Sequence, residues 1–316
     1  MKVLSLITLA LLLNSFSLFG QESYSKAISV ISDNDFYVNP YQDQYYSNGL
    51  LVNYHFLKKN YSEKFIKSII SLNLGHSIYT PSKRYKKITT NQDRPFAAIF
   101  FGALAKANFT HQNSIKKWEF QFGVLGPAAQ GEVVQNWLHR SFGMSESEGW
   151  AYQMNNLLAL NINYLYLKHL FSVIDNKIDL SIYFDGSAGT LLTQFDMGFA
   201  LRVGFIPLNP IFNTIFFGSN LDTSENQEFK KEVFFFLKPR VGYLVYDASI
   251  SGSLFNNSSP VWFNTIPPQN SLEIGLNVSG RRLDFSYSIF FLSKRPDNAI
   301  AKAHEYGRIQ LAYRFK

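Results

Sequence analysis

The chain has 316 residues with a formal net charge of +7, and 46% of them are hydrophobic and 16% aromatic. Only 17% are charged, against about 25% in a typical soluble domain, so much of the surface is expected to face something other than water. Lys and Arg are scattered rather than clustered, which disfavours nucleic acid as a partner and fits an anionic lipid surface. The absence of Cys excludes a disulfide, a thiolate nucleophile and a zinc–thiolate site.

The N-terminus has the pattern of a secretory signal peptide. A basic start, Met1-Lys2, is followed by a mostly apolar run over residues 3–13 and by small residues before Gln21. The run is short for a spanning helix, which needs about 20 apolar residues. We therefore interpret residues 1–20 as a signal peptide and residues 21–316 as one domain, and we expect no transmembrane helix.

The remainder is predicted to be all-β, because short segments of alternating polarity are separated by polar turns. In residues 118–124, Trp and Phe alternate with Glu, Gln and Gly, as a barrel wall between lipid and lumen requires. An even number of strands closes an antiparallel transmembrane β-barrel and leaves no edge in lipid. The alternative is a soluble β-sandwich. Twelve strands are predicted, at about 26–37, 47–57, 67–79, 97–109, 116–126, 155–168, 178–189, 193–206, 230–246, 271–279, 282–293 and 305–315.

One segment is predicted to be a short helix in an extracellular loop. Residues 131–140 place Val134, Trp137 and Leu138 at helical spacing. Gln135 and His139 are four residues apart, so both side chains would lie on one face of that helix.

Four polar clusters are predicted to meet at one rim of the barrel. With the N-terminus in the periplasm, the loops at about 38–46, 80–96, 127–154, 247–270 and 294–304 all lie outside. These loops bring together residues 33–35, residues 47–49, residues 93–95, and the helix that carries Gln135 and His139. A long segment at 207–229 falls on the inner side, and nothing in the sequence explains it. Each cluster alone is also compatible with an ordinary turn or a solvated surface.

These residue types suit ester hydrolysis by an activated water. A neutral His such as His139 can deprotonate water, and a hard cation such as Ca²⁺ can stabilise the oxyanion. Asn34 and Asp35 offer oxygen ligands, although a bend at the strand end is needed for them to act together. Arg94 is a candidate for binding a lipid phosphate and Tyr152 for lining the lipid. No G-x-S-x-G motif is present, so an α/β-hydrolase elbow has no support.

The order and spacing of these motifs resemble the outer-membrane lipid A 3′-O-deacylase family from about residue 30 to the C-terminus. Two departures stand out: Ala98 replaces an expected Gly, and residues 155–157 read Asn-Asn-Leu where Asn-Glu-Pro is expected. The matching motifs are Asn34-Asp35-Phe36, Tyr45-Tyr46-Ser47-Asn48-Gly49, Asp93-Arg94-Pro95-Phe96-Ala97, the run from Leu125-Gly126-Pro127 through Gln135 to His139, Gly149-Trp150 with Gln153, and His304 with Tyr306-Gly307.

The resemblance implies a twelve-stranded barrel that removes the 3′-linked acyloxyacyl chain of lipid A in a calcium-dependent reaction. His139 would be the base, Asn34 and Asp35 would orient the site or hold calcium, and Ser47 would supply a hydroxyl. Gln135 would lie one turn before the base. We expect an outer-membrane protein that acts on lipopolysaccharide as a monomer, with its active site facing the cell exterior. The alternatives are a passive or structural barrel with a decayed site, and an outer-membrane phospholipase.

Overall fold

The computed structural model describes residues 24–39, 44–58, 64–82, 92–141, 143, 145–218, 220–222, 231–255 and 259–316. The proposed signal peptide, residues 1–20, lies outside this part of the chain and stays a prediction. In the described residues, no helix has both the length and the apolar character that a membrane-spanning helix needs.

Twelve antiparallel strands form a closed barrel in which sequence neighbours pair and β1 closes on β12. The prediction of a twelve-stranded antiparallel barrel is confirmed. Its strands are β1 (Lys26–Asn34), β2 (Tyr45–Lys58), β3 (Phe65–Thr80), β4 (Ala97–Thr110), β5 (Ser114–Leu125), β6 (Leu157–Val173), β7 (Ile178–Gly189), β8 (Leu192–Gly204), β9 (Glu232–Asp247), β10 (Pro268–Ser279), β11 (Leu283–Leu292) and β12 (His304–Phe315).

The alternation of side chains divides each strand between two environments. In β5, Phe120 and Phe122 are 54% and 62% exposed on the outer wall. Glu119 and Gln121, which alternate with them, line the lumen. Since side chains along a strand point alternately to opposite faces, apolar residues face lipid and polar residues face the lumen. The same alternation in β3 turns Leu72 outward.

The two ends of the barrel differ. The first and last described strand residues, Lys26 and Phe315, pair with each other, so both chain ends lie at one end of the barrel, here called the terminal end. The five loops predicted to lie outside all lie at the opposite end, here called the site end.

A helix, α1 (Gly131–Ser141), follows β5 at the site end, as predicted to within one residue. It packs on the outer wall of the barrel rather than over its mouth. Val134 of the helix joins a cluster with Ile78 and Ala98, which continue the outward-facing positions of β3 and β4. A second, shorter helix, α2 (Ala248–Ser251), follows β9 at the same end.

The described part of the long segment between β8 and β9 folds into the lumen at the terminal end. It contains two short 3-10 turns, Ile211–Asn213 and Ile215–Phe217. Ile211 and Leu221 pack in one buried cluster with lumen-facing residues such as Ile69 of β3. The described residues 205–218 and 220–222, here called the plug, thus form an internal element of the barrel, which explains why the segment between β8 and β9 is long.

Polar contacts bind the plug to the surrounding strands. Lys67 of β3 donates from its Nζ to Asn213 Oδ1 at 2.9 Å and to the Leu221 carbonyl at 2.6 Å. Glu232 of β9 accepts from the Asn209 backbone N–H at 2.9 Å and from Thr214 Oγ1 at 2.7 Å. Such fully buried charges require hydrogen-bonded partners, and the plug supplies them.

Between the plug and the site end, the lumen contains a cavity of about 690 Å³ that is lined by both polar and apolar side chains. Its lining includes Asn53, His55, Glu119 and Asn163. Glu119 accepts from Asn73 and from Asn163, both at 3.1 Å, so hydrogen bonds join the lumen faces of β3, β5 and β6.

Candidate active site at the barrel rim

The first part of the candidate site is formed where β1 ends. Asn34 is the last residue of β1 and the N-cap of the 3-10 turn Asp35–Tyr37, and its side chain accepts from the Phe36 N–H at 2.8 Å. This turn replaces the last three residues of the predicted strand 26–37 and supplies the bend that Asn34 and Asp35 needed.

Asn34 is also bound to the next strand. It pairs in register with Asn48 of β2, and its Nδ2 donates to Asn48 Oδ1. Because Asn34 continues the outward-facing positions of Ile28 and Val30, this amide pair belongs to the outer wall of the rim.

Asp35 lies just beyond Asn34 and is 4% exposed. Its Oδ2 accepts from the Gln44 backbone N–H at 2.8 Å, which joins the end of β1 to the start of β2. The turn therefore fixes a buried carboxylate next to the Asn34–Asn48 pair.

Ser47 occupies an irregularity in β2. The register between β2 and β3 shifts between Tyr46 and Asn48, so Ser47 is the extra residue of a β-bulge. Bulges re-aim a side chain and are over-represented near active sites. Ser47 is 1% exposed, and its hydroxyl donates to the Ile78 carbonyl at 3.4 Å, a long hydrogen bond.

His139 lies on the buried face of α1. Its Nδ1 is 2.7 Å from the Ser145 carbonyl oxygen, which can only accept, so Nδ1 carries the proton. The remaining nitrogen, Nε2, is then the unprotonated one in the neutral ring. A backbone hydrogen bond that fixes the tautomer in this way is the arrangement that a general base requires.

Gln135 lies one turn before His139 on the same face and is fully buried. Its Oε1 accepts from Trp150 Nε1 at 2.8 Å, which fixes the orientation of the amide. Its Nε2 is buried and has no hydrogen-bond partner among the described residues. A buried donor without a partner is costly, and such a group is a candidate for contact with a substrate.

Ile78 connects these two halves of the site. Its carbonyl binds Ser47, and its side chain packs in the cluster that contains Trp150 and Val134 of α1. The end of β1, the bulge of β2, the end of β3 and α1 are therefore adjacent along the outer wall. The structure brings Asn34, Asp35, Ser47, Gln135 and His139 to one rim, as the strand alternation predicted.

Arg94 lies elsewhere in the rim. It is 3% exposed, donates to Ser249 Oγ of α2 at 2.6 Å, and places its guanidinium 4.4 Å from the ring of lumen-facing Tyr79. Burial lowers the pKa of Arg94, and the nearby Asp247 carboxylate opposes that shift. Arg94 thus faces the interior of the mouth, away from the lipid-facing wall, and the structure gives no support to a phosphate contact.

Tyr152, the other predicted substrate residue, is 43% exposed at the end of the 3-10 turn Trp150–Tyr152. That turn follows α1 and contains the Trp150 that binds Gln135. Tyr152 therefore lies on the surface beside the helix that carries His139.

The departures from the family pattern have visible roles. Asn156, where a Glu was expected, accepts from the Ala128 N–H at 2.8 Å and so holds the turn that leads into α1. The nearby Glu146 pairs with Arg140 at 2.7 Å and is exposed. Neither residue adds a carboxylate to the rim beside Asp35.

Tyr45 and Asp93 belong to matching motifs, but their contact with each other was not predicted from the sequence. Both are almost completely buried, and the Tyr45 hydroxyl donates to Asp93 Oδ2 at 2.9 Å. The sequence contains 18 Tyr residues, and only the three-dimensional structure distinguishes this one.

The residues proposed to bind calcium, Asn34 and Asp35, include one carboxylate. In the described part of the chain, no group of three or more His, Asp or Glu side chains is arranged to hold a metal ion. Asp35 Oδ2 and Asn34 Oδ1 each accept a backbone hydrogen bond, from Gln44 and from Phe36. The donor types are those that Ca²⁺ prefers, and further ligands would have to be backbone carbonyls, substrate oxygens or water.

The fold and site together define a class of protein: an outer-membrane β-barrel with a polar site on the lipid-facing side of one rim. The chain matches the model of the family described as outer membrane protein LpxR over residues 4–315. It therefore belongs to that family, which confirms the resemblance to the lipid A 3′-O-deacylases.

A solved structure of LpxR supports the fold, and two autotransporter barrels have lower similarity. LpxR from Salmonella typhimurium matches with a TM-score of 0.72 and 19% identity over 92% of this chain and 100% of that one. The β domain of the Bordetella autotransporter BrkA matches with a TM-score of 0.47 and 8% identity, over 93% of this chain and 100% of that one. The translocator domain of autotransporter NalP from Neisseria meningitidis has a TM-score of 0.41 and 10% identity, over 99% and 96%. No curated protein matches significantly.

Proposed function

We propose that this barrel hydrolyses the 3′-linked acyloxyacyl ester of lipid A, with the site end exposed at the cell surface. One observation carries the proposal: His139 has its Nδ1 proton committed to the Ser145 carbonyl and lies on the buried face of α1. Membership of the LpxR family supports the choice of lipid A as the substrate.

In the proposed reaction, His139 Nε2 accepts a proton from water, and the resulting hydroxide attacks the ester carbonyl carbon. The Nδ1–H to carbonyl bond stabilises the imidazolium that forms. When the tetrahedral intermediate collapses, the C–O bond to the alcohol breaks and the imidazolium returns the proton to the leaving alkoxide. The products are a free carboxylic acid and a lipid A hydroxyl.

The developing oxyanion needs hydrogen-bond donors or positive charge. Gln135 Nε2, which has no partner in the described part of the chain, supplies one donor. The Ser47 hydroxyl supplies a second once its long bond to the Ile78 carbonyl is exchanged. Asn34 and Asp35 would hold Ca²⁺, which supplies Lewis-acid stabilisation of negative charge when bound.

The position of the site fits a substrate that never leaves the membrane. Asn34, Asn48 and α1 all lie on the outer side of the wall, so an ester in the adjoining leaflet approaches laterally and does not pass through the lumen. A single chain carries every proposed residue, which is consistent with a monomer.

The plug bears on the passive-channel alternative. Ile211, Phe217 and Leu221 fill the terminal end of the lumen, and hydrogen bonds hold them there. A solute would have to displace this packed segment, which favours the deacylase over a passive channel.

The proposal is tested by expressing the chain in a lipid A-producing outer membrane and measuring the mass of extracted lipid A with and without calcium. We expect a calcium-dependent loss of one acyloxyacyl unit that His139→Ala abolishes. His111→Ala, in the exposed turn between β4 and β5, is the matched control and should behave as the unaltered chain.

Two outcomes would contradict the proposal. An unchanged lipid A mass from a folded, inserted barrel would rule out the deacylase. Release of fatty acid from glycerophospholipids, measured side by side, would identify a phospholipase that uses the same His139 chemistry.

A further inference from the structure

The outward side of α1 carries an apolar surface that the proposed chemistry does not use. Val133 and Trp137 are 59% and 60% exposed and lie one turn apart. At about 100° per residue, they are separated by about 40° around the helix axis. Their mean direction is about 180° from Gln135, so the apolar surface lies directly opposite the buried catalytic face.

The two flanks of α1 between these faces differ in polarity. Val134 and Leu138 lie on one flank, and Val134 packs against Ile78 on the outer wall. Glu132, Asn136 and Arg140 lie on the other flank. Asn136 accepts from the Ser147 N–H at 3.0 Å, and Arg140 pairs with Glu146, so the loop after the helix covers the polar flank.

The apolar surface is continuous with the lipid-facing wall of the barrel. His76 lies on the outward side of β3, near Phe100, and its Nε2 donates to the Ala129 carbonyl just before α1 at 2.8 Å. Phe100 and Phe122 are exposed on the wall next to the positions that α1 covers. Lipid that contacts this wall therefore reaches the side of the helix as well.

We propose that Val133 and Trp137 are immersed in the acyl chains of the leaflet at the site end, with α1 lying as an interfacial amphipathic helix. Its polar flank then faces water, and its apolar flank faces the centre of the bilayer. An exposed Trp on such a helix is typical of membrane interfaces. The inference concerns only where the helix lies, and does not depend on any enzymatic activity.

The chain contains no Cys, so single-Cys variants can be spin-labelled without removing native thiols. The variants are Val133→Cys, Trp137→Cys and, on the polar flank, Glu132→Cys. Phe122→Cys serves as the lipid reference and Asp175→Cys, in the exposed turn after β6, as the water reference. Each barrel is reconstituted in dimyristoylphosphatidylcholine vesicles, and its folding is checked by heat-modifiable gel mobility.

Power-saturation EPR then compares collisions with oxygen, which partitions into lipid, and with a water-soluble nickel chelate. Labels at 133 and 137 are expected to collide more often with oxygen than with nickel, like the lipid reference at 122. The label at 132 is expected to collide more often with nickel, like the water reference at 175. Nickel-dominated signals at 133 and 137 would overturn the proposal. Low collision rates with both reagents there would mean that protein covers the surface, and an oxygen-dominated signal at 132 would contradict the orientation.

Discussion

The Tyr45 hydroxyl donates to the Asp93 carboxylate at 2.9 Å and also accepts from the Lys302 N–H at 2.9 Å. Tyr45 has a φ of 62°, a left-handed conformation that is costly for a residue with a side chain. It lies between Gln44, whose N–H binds Asp35, and the bulge at Ser47. The buried hydroxyl thus holds the backbone in the conformation that places both Asp35 and Ser47.

Tyr45→Phe removes this hydroxyl and keeps the ring. Its loss should relax the backbone at 44–47, and we expect deacylation to fall about tenfold, equivalent to about 1.4 kcal/mol in the activation barrier. Asp93→Ala removes the same contact together with the hydrogen bond that Asp93 accepts from the Ser82 N–H, so it should lower the rate at least as much. The double variant should lose little more than Asp93→Ala alone, because the Tyr45–Asp93 contact is already broken in that variant. Rates of lipid A conversion in detergent check the prediction.

Tyr313→Phe is the control for Tyr45, since Tyr313 lies on the lipid-facing wall and is 40% exposed. It should leave the rate unchanged. A rate for Tyr45→Phe equal to that of the unaltered chain, in a preparation where His139→Ala is inactive, would refute the positioning role while leaving the deacylase intact.

The barrel was predictable because its physical signal is repeated along the chain. Alternation in segments such as 118–124 follows from the contrast between lipid and lumen, and every predicted strand has a counterpart in the structure. Strand ends were less predictable. Local turn chemistry decides them, as at Asp35, where a 3-10 turn stops β1 three residues early.

The candidate site was predictable in part. Strand counting placed Asn34, Ser47 and His139 at one rim, and the i, i+4 spacing placed Gln135 beside His139. The burial of Arg94 against Ser249 was not visible, because it depends on a contact across 155 residues of sequence. The plug could not be predicted either, because its apolar residues follow neither helical nor strand periodicity. They pack instead on lumen-facing side chains from several strands.

The unpaired amide nitrogen of Gln135 leads to a second prediction. Gln135→Glu keeps an oxygen acceptor for Trp150 Nε1 but removes the Nε2 donor. If that donor stabilises the oxyanion, deacylation should fall about 100-fold, the typical effect of removing one such donor. The measurement is the turnover rate at saturating substrate.

Trp150→Phe separates this effect from packing, because it removes the hydrogen bond to Gln135 Oε1 and leaves the Nε2 donor in place. It should lower the rate less than Gln135→Glu does. The reverse order would show that the indole contact matters more than the free amide.

Lys67 provides a third prediction, about the plug. Lys67→Ala removes the hydrogen bonds from Lys67 Nζ to Asn213 and to the Leu221 carbonyl, which hold the plug to β3. The plug should then open more often, and planar bilayers should show ion conductance that the unaltered barrel lacks. Lys117→Ala, which changes a half-exposed lumen Lys beside Glu119, is the matched control and should remain closed. Equal conductance in all three proteins would contradict a role for Lys67 in closure.

The close packing of α1 on the wall gives the last prediction. A Cβ added at Gly131 would lie 2.4 Å from Ala98 Cβ and 2.5 Å from the Trp150 ring, distances at which the helix must move. Gly131→Ala should therefore shift α1 away from β4. Deacylation should fall, because His139 and Gln135 belong to that helix and would move with it. The barrel itself should still fold, which heat-modifiable gel mobility would show.

Ala98→Gly introduces the residue that the family pattern expects and removes one of the two clashes. The double variant should therefore recover part of the rate. Recovery is expected to be incomplete because Trp150 remains in contact. If Gly131→Ala retained the full rate, the position of α1 on the wall would not govern the reaction.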